Sequence, residues 1–153
     1  MKTSRMKWLL ATALTPIAVG GSVAYARSMC ASLGQPQNPS DYSSFSNTDG
    51  TIKNTSAVTK RYCVTLPVDS SGTKTVDVMA KGTDTNHNVG CFAKGLHATG
   101  YVWSSSTQKF LVSFNISQYI EVQTSVPSSG ALLVCCDIGP GSQAEIAQVN
   151  YNE

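Results

Sequence analysis

The segment KTVDVMAK (74–81) alternates along its length between apolar and other residues. Val76, Val78 and Ala80 share one parity, and the opposite parity is mainly polar. Successive side chains of a β-strand point to opposite faces, so this pattern is typical of a strand with one buried face. The segment therefore predicts a sheet that packs one face against a core.

Similar segments recur to the end of the chain. Turn-rich stretches such as DSSGT, GTDTNHNVG, SSSTQ and VPSSG separate them, and no segment carries a clear helical stripe. We predict an all-β fold, a single disulfide-stapled antiparallel β-sandwich of jelly-roll or Ig-like type with about seven to nine short strands. The predicted strands are 57–68, 74–81, 91–96, 98–103, 109–115, 118–124, 131–138 and 144–151.

The first 26 residues have the three parts of a secretory signal peptide. Basic residues open the segment, an apolar stretch over 8–21 follows, and Ala-Tyr-Ala (24–26) ends it. The apolar stretch is shorter than the roughly 20 residues that cross a bilayer, so no membrane span is expected in the mature chain. We predict cleavage after Ala26 and a secreted or periplasmic protein.

Cleavage leaves 127 residues, which is enough for one domain. Residues 27–50 are rich in Ser, Asn, Pro and Gly and show no period, so they predict an irregular N-terminal arm. The sandwich domain is expected to follow over 51–153.

Net charge gives no sign of an electrostatic partner. The chain has 11 Lys and Arg against 9 Asp and Glu, and three of the basic residues lie in the predicted signal peptide. The remaining basic residues are scattered rather than clustered. We therefore expect neither a nucleic-acid partner nor a polybasic membrane surface.

The stretch LLVCCDIG places Cys135 and Cys136 side by side in an apolar run. Neighbouring side chains of a strand point to opposite faces. Cys136 shares its parity with Leu132, Val134 and Ile138, so it is predicted to enter the core. Cys135 is predicted to face solvent or a second, thinner layer.

Five cysteines follow the predicted cleavage site, and export favours disulfides among them. Connectivity does not follow from sequence, and we predict Cys63–Cys91 and Cys30–Cys136 with Cys135 unpaired. An unpaired Cys135 would allow a disulfide-linked dimer. The alternatives for the pair are a direct bridge between the neighbours, a zinc site and a redox centre. The last two require Cys-x2-Cys spacing, which the chain lacks.

The sequence DTNHNVG resembles the beginning of a calcium loop, with ligand oxygens at Asp84, Asn86 and Asn88. An EF-hand needs Gly at the sixth position and Glu at the twelfth, where this chain has Val89 and Gly95. A plain polar turn is the simpler interpretation. We predict no metal and no cofactor.

Catalytic motifs are absent from the sequence. There is no Gly-x-Ser-x-Gly elbow and no His-Glu-x-x-His motif, and the carboxylates are few and scattered. No catalytic residue is predicted. The alternative is a secreted hydrolase whose site uses Asp84, His87 and His97 or the cysteines.

Three aromatic residues are candidates for a ligand-binding face. Tyr101 and Trp103 share a parity in GYVWSSS, and Tyr119 lies on a later predicted strand. Aromatic side chains beside hydroxyls and amides are typical of sugar- or protein-binding surfaces. A small domain also needs its large residues inside, and this favours Tyr101 and Trp103 as core residues.

The order of short motifs along the chain, YCVTLPV, VDVMAK, VGCFAKG and LLVCCDIGPGSQAEIAQVNYNE, resembles a group of small secreted β-rich proteins of soil-dwelling Gram-negative bacteria. The chain departs from the group because Pro follows Leu66 rather than Cys63, and because Cys135 is an additional cysteine. The resemblance implies a secreted β-sandwich and supplies no catalytic residues.

The sequence as a whole favours a secreted, non-catalytic structural or adhesive protein that acts through surface contacts. Its expected partner is a protein or a polysaccharide surface. A carbohydrate-binding module and a secreted enzyme are the two alternatives.

Overall fold

The structure, a computed structural model, describes residues 26–152. The predicted signal peptide, residues 1–26, lies outside that range except for its last residue. The described strands are β1 (Ala26–Cys30), β2 (Gln35–Pro36), β3 (Phe45–Thr48), β4 (Thr51–Asn54), β5 (Lys60–Leu66), β6 (Gly72–Lys81), β7 (Val89–Leu96), β8 (Val102–Ser105), β9 (Lys109–Phe110), β10 (Gln118–Val126), β11 (Ala131–Ile138) and β12 (Glu145–Asn152).

The strands form two antiparallel sheets that face each other. Sheet A has the order β10-β6-β12-β4-β3, with β1 paired to β12 beyond the end of β4. Sheet B has the order β2-β5-β11-β7-β8, with β9 paired to the opposite end of β7 from β8. The predicted all-β antiparallel sandwich is confirmed. The strand count is higher than expected because several edge strands have only two to five residues.

The core lies between the two sheets and consists mainly of branched aliphatic side chains. Its largest fully buried members include Ile52, Leu66, Leu132, Ile138 and Ile146. The inward parity of β6 carries Val76, Val78 and Ala80, as the alternation predicts. Burial of these chains supplies the main driving force for folding.

The interval 27–50 differs from the irregular arm expected there. It contributes β1, β2 and β3, together with 3-10 helices at Ala31–Leu33 and Pro39–Ser44. β1 pairs in register with β12 over five residues. Short edge strands are stabilised mainly by backbone hydrogen bonds to a neighbouring strand. Such hydrogen bonds do not require alternating apolar residues, so the sequence pattern did not predict β1, β2 and β3.

The two 3-10 helices are short. Neither of them, nor any other helix within residues 26–152, is long and apolar enough to cross a membrane.

Two disulfides join the central strand of sheet B to its neighbours. Cys63 of β5 is bonded to Cys135, and Cys91 of β7 is bonded to Cys136, each pair at a Cα separation of 4.1 Å. In both pairs the cysteines are directly opposite each other in the strand register. Exposed Cys30 is the free cysteine of the described residues.

The predicted pairing of the cysteines is therefore wrong. Cys63 and Cys91 lie on β5 and β7, which flank β11 without touching each other, and they face opposite sides of sheet B. Cys30 belongs to sheet A and is exposed, so it cannot reach the core cysteine Cys136. Cys135 is bonded to Cys63 and is not available for the dimer expected through it.

The predicted facing of the two adjacent cysteines is confirmed. Cys136 belongs to the main core between the sheets. Cys135 belongs to a small outer cluster with Cys63 and Phe92, against which Leu133 packs. This outer cluster is the second, thinner layer, and it lies on the outer face of sheet B.

Candidate functional site

An exposed hairpin at the edge of sheet B carries two of the predicted aromatic residues. The loop 97–101 joins β7 to β8, and the His97 N–H donates to the Tyr101 carbonyl at 2.8 Å. Gly100 adopts a positive φ of 86°, which closes the turn. Val102 lies opposite Leu96 and Ser104 opposite Gly95, so Trp103 is the extra residue of a β-bulge.

Tyr101, Val102 and Trp103, which we term the aromatic hairpin, are exposed to solvent by 78%, 55% and 63%. The expectation that Tyr101 and Trp103 fill the core is wrong. Aliphatic residues of both sheets already fill the space between them, and the bulge turns the beginning of β8 outward. Adjacent large exposed side chains of this kind mark interaction surfaces more often than scattered ones do.

Contacts between the two sheets fix the base of the aromatic hairpin. A Cβ on Gly95 would lie 1.9 Å from the Ser125 carbonyl oxygen, so only glycine allows β7 to approach β10 this closely. The Thr124 hydroxyl donates to the Ser104 Oγ at 3.2 Å across the same edge. The hairpin therefore projects from a rigid edge of the sandwich.

Tyr119 does not join the aromatic hairpin. It is 52% exposed on the outer face of β10, opposite Met79. Ser104 contacts β10 at Thr124, which is five residues from Tyr119, or about 17 Å along an extended strand. The three predicted ligand-binding residues therefore form two separate surfaces.

A second aromatic surface, which sequence analysis missed, lies at the opposite edge of sheet B. We term it the aromatic cavity, and its volume is about 120 Å³. Tyr42 forms an exposed wall, and the rings of Phe45 and Tyr62 pack edge to face at 5.1 Å. The residues lining it are Pro36, Tyr42, Phe45, Ser46, Asn47, Ile52 and Tyr62. β2 contributes Pro36 to the aromatic cavity and β8 carries Trp103 of the aromatic hairpin, and the two strands are separated by four strand spacings, or about 19 Å. The two aromatic surfaces are therefore separate.

A polar cavity of about 220 Å³ lies at one end of the sandwich. We term it the serine cavity. Loop 67–71 joins β5 to β6 and loop 127–130 joins β10 to β11, so both loops cross from one sheet to the other side by side. The residues lining it are Val68, Asp69, Ser70, Ser71, Pro127, Ser128, Ser129 and Gly130.

The outer face of sheet A is open and polar. Asp77 of β6 and Glu121 of β10 are directly opposite each other. Partial burial of Asp77, together with the nearby charge of Glu121, raises the pKa of the Asp77 carboxyl above its ordinary value of 3.8. Neither of the two cavities described above includes this pair.

The Cys63–Cys135 bridge lies on the outer face of sheet B, where side chains of neighbouring residues cover it. The Phe92 ring packs against the bridge and lies 4.9 Å from the Arg61 guanidinium and 5.2 Å from the Lys94 ammonium. Arg61 also donates to both oxygens of the Asp137 carboxylate at 2.6 and 2.9 Å. Burial acts to raise the pKa of Asp137, but hydrogen bonds from Arg61 and Gln108 and the Arg61 charge hold that pKa below 3.8.

The three weak metal-ligand candidates lie in the loop between β6 and β7. The Asp84 carboxylate accepts the N–H groups of Asn86 and His87 and contacts the His87 ring, and these hydrogen bonds lower the Asp84 pKa. Asn88 accepts the N–H of the next residue. The side-chain oxygens of Asp84 and Asn88 therefore accept backbone N–H groups of the loop. The described residues contain no group of three or more His, Cys, Asp and Glu placed to hold a metal ion.

The residues of the hydrolase alternative are not brought together. His87 precedes β7 and His97 follows it, so the two rings lie near opposite ends of an eight-residue strand about 26 Å long. His87 pairs with Asp84, whereas His97 contacts Thr99. The cysteines, which are the other postulated hydrolase site, form two bridges on opposite faces of sheet B, and the thiol of Cys30 is exposed on sheet A.

No protein-family model matches the chain, and no curated protein matches it. Among solved structures it is similar to the carbohydrate-binding module CBM6cm-2 from Cellvibrio mixtus lichenase 5A in complex with cellotriose. That match has 9% identity, a TM-score of 0.51, and coverage of 83% of this chain and 96% of the module. The chain shares its fold with that module. The C-terminal CBM6 of LamC, a marine laminarinase from Zobellia galactanivorans, matches with 10% identity, a TM-score of 0.50, and coverage of 84% and 100%.

Proposed function

We propose that the chain is a non-catalytic polysaccharide-binding protein whose aromatic hairpin stacks on sugar rings. The observation that carries this proposal is the exposure of Tyr101 and Trp103, at 78% and 63%, on a rigid edge of a small domain. Such a domain gains stability by burying its few large side chains. Their exposure points to a ligand that covers them.

The chemistry of the aromatic hairpin suits a carbohydrate. A pyranose ring presents C–H bonds on its faces and hydroxyls around its rim, so an aromatic ring offers a surface to its faces. Thr99 and Ser105 flank the aromatic residues with exposed side chains that can hydrogen-bond the rim hydroxyls. With Ser104 and Ser106 also nearby in the chain, this composition suits a neutral polysaccharide.

The comparisons support the proposal at the level of fold. Two solved modules with this fold are carbohydrate-binding modules, and one of them is in complex with cellotriose. One module comes from a lichenase and the other from a laminarinase, and no such activity is proposed for this chain. Its two disulfides are stable in an oxidising compartment, where extracellular polysaccharides are found.

Binding assays with single variants test the proposal. The full exported chain is titrated with soluble neutral polysaccharides by calorimetry and affinity electrophoresis, with insoluble glucans tested by pull-down. Trp103→Ala is expected to weaken binding by about 10- to 100-fold, as loss of an aromatic hot spot does. Tyr101→Ala is expected to weaken it to a smaller extent.

Two matched variants locate the site. Tyr119→Ala removes an exposed tyrosine that lies about 17 Å along β10 from Thr124, where the base of the aromatic hairpin meets that strand, and it is expected to bind like the parent protein. Tyr42→Ala opens the aromatic cavity at the far edge and is also expected to leave binding intact. A parent protein that binds none of the polysaccharides, or a folded Trp103→Ala variant with parental affinity, would contradict the proposal.

A further inference from the structure

Lys74 is a buried cation at the end of the sandwich. Only 2% of it is exposed, and it shares the inward parity of Val76 and Val78 on β6. Lysine is almost never fully buried unless its charge is paired. The position of Lys74 is therefore unusual for a residue with only a structural role.

The ammonium group of Lys74 has a single partner among the described residues. Its Nζ donates to the Ser70 Oγ at 2.7 Å. An ammonium carries three donors, and no salt bridge joins Lys74 to a carboxylate within residues 26–152. A buried charge with one neutral acceptor is poorly compensated.

Ser70 connects this charge to the serine cavity, since its hydroxyl accepts from Lys74 and it also lines the cavity wall. Ser71, Ser128 and Ser129 line the same cavity, and their hydroxyls have no hydrogen-bond partner among the described residues. The volume of about 220 Å³ is more than ten times the space that one water needs. The cavity thus combines free hydroxyl donors with an adjacent uncompensated cation.

One carboxylate also lines the cavity and would repel an anion. Asp69 is in contact with the Arg27 guanidinium, which offsets its charge. Lys74 is therefore the charge at this end of the sandwich for which the described residues provide no counter-ion.

We propose that the serine cavity binds a small oxyanion, a carboxylate or a sulfate, with Lys74 as the buried counter-charge and the serine hydroxyls as donors. The oxyanion is either a free ion or a substituent on a sugar of an acidic polysaccharide. This site shares no residue with the aromatic hairpin, so it does not depend on the function proposed above.

Titration of the exported chain with sodium sulfate, sodium glucuronate and a uronic-acid oligosaccharide tests this site. Amide NMR shifts and the melting temperature are followed, with sodium chloride at equal ionic strength as the reference. Saturable shifts confined to loops 67–71 and 127–130 and the neighbourhood of Lys74 are expected for at least one of the three probes. Sulfate or glucuronate binding identifies a free ion, and binding of the oligosaccharide alone identifies an acidic glycan.

Lys74→Met keeps a side chain of similar length and removes the charge, and it is expected to weaken anion binding by about 10- to 100-fold. Lys109→Met is the matched control and is expected to leave anion binding unchanged. Lys109 is exposed on β9, which pairs with the beginning of β7, whereas Gly130 of the serine cavity lies beside Leu96 at the end of β7. Ser70→Ala is the second test if Lys74→Met does not fold. Trp103→Ala is expected to retain anion binding, which separates this proposal from the previous one.

The proposal would be overturned by no saturable response to any probe, by a response equal to that of sodium chloride, or by parental affinity in both folded Lys74→Met and Ser70→Ala variants. Shifts that map away from the two loops would show an adventitious ion only, and they would also overturn it.

Discussion

Cys135 and Cys136 are adjacent in the chain, yet they face opposite sides of β11 and form disulfides with different neighbouring strands. Cys135 bonds outward to Cys63, and Cys136 bonds inward to Cys91. The pair therefore ties three strands of sheet B together at one level. This arrangement gives the adjacent cysteines a structural role and leaves Cys30 as the free thiol of the described residues.

Alkylation of the native, non-reduced protein is expected to modify Cys30 and none of the other four cysteines. Cys30 is exposed, whereas the other four are bonded in pairs. Non-reducing peptide mapping measures this directly. Label on Cys135, or a peptide linking Cys63 to Cys91, would contradict the described connectivity.

Removal of either disulfide is expected to destabilise the fold by about 4 kcal/mol, since the bridges span 72 and 45 residues. The two double variants should nevertheless differ. Replacing Cys91 and Cys136 with Ala also opens space in the main core, so it is expected to cost more than the same change at Cys63 and Cys135. Urea unfolding of both variants compares them, and equal midpoints would contradict the assignment of the inner bridge.

Asp77→Asn is expected to stabilise the protein at neutral pH by less than about 1 kcal/mol. The raised pKa of Asp77 means that the folded state binds its proton more tightly than the unfolded state does. Stability is therefore lost as pH rises from 3.8 through the raised value, and the asparagine variant avoids this loss. Melting temperatures across pH measure the effect, and Glu121→Gln is expected to act in the same direction. Curves that differ below pH 3.8 and merge above it would contradict the expected sign.

Asn54→Ala is expected to destabilise the fold by about 2 to 3 kcal/mol, because the buried Ile138 carbonyl and the partly buried Val58 carbonyl lose their donor. The Asn54 side chain is fully buried and donates to the Val58 and Ile138 carbonyls, both at 2.8 Å. It also accepts the Ser56 N–H at 3.0 Å. Asn47→Ala is the control because Asn47 is exposed and its side chain has no hydrogen-bond partner within residues 26–152. Denaturant unfolding should separate the two variants, and equal stabilities would contradict the role of Asn54.

Alternation in the sequence predicted the strands that have one face in the core. It placed Val76 and Val78 inward and set Cys136 in the core with Cys135 outside it. The same parity places Lys74 on the inward face of β6. A lysine at an inward position is the one feature of the sequence that points to the serine cavity, which Lys74 reaches through Ser70. The sequence reveals which side chains face the core because successive side chains of a strand point to opposite faces, whichever strands are its neighbours.

Strand order accounts for most of what sequence analysis missed. The disulfides depend on β5 and β7 flanking β11, and the periodicity of a strand does not identify its neighbours. The aromatic cavity takes its walls from segments between residues 36 and 62 that are joined only in the fold. Exposure of Trp103 follows from a bulge opposite Gly95 and Leu96, which is a property of the strand pair.

Fluorescence of Trp103 provides the most direct test of the proposed sugar site. The chain has two tryptophans, and the other, Trp8, lies in the predicted signal peptide, so Trp103 is the only tryptophan of the chain from Arg27 onward. Residues 27–153 are titrated with a neutral oligosaccharide for which calorimetry has already shown binding. The Trp103 emission is expected to shift to the blue and saturate, and the dissociation constant from fluorescence is expected to equal the one from calorimetry. An emission spectrum unchanged at saturation would place the sugar elsewhere and contradict the assignment of the aromatic hairpin.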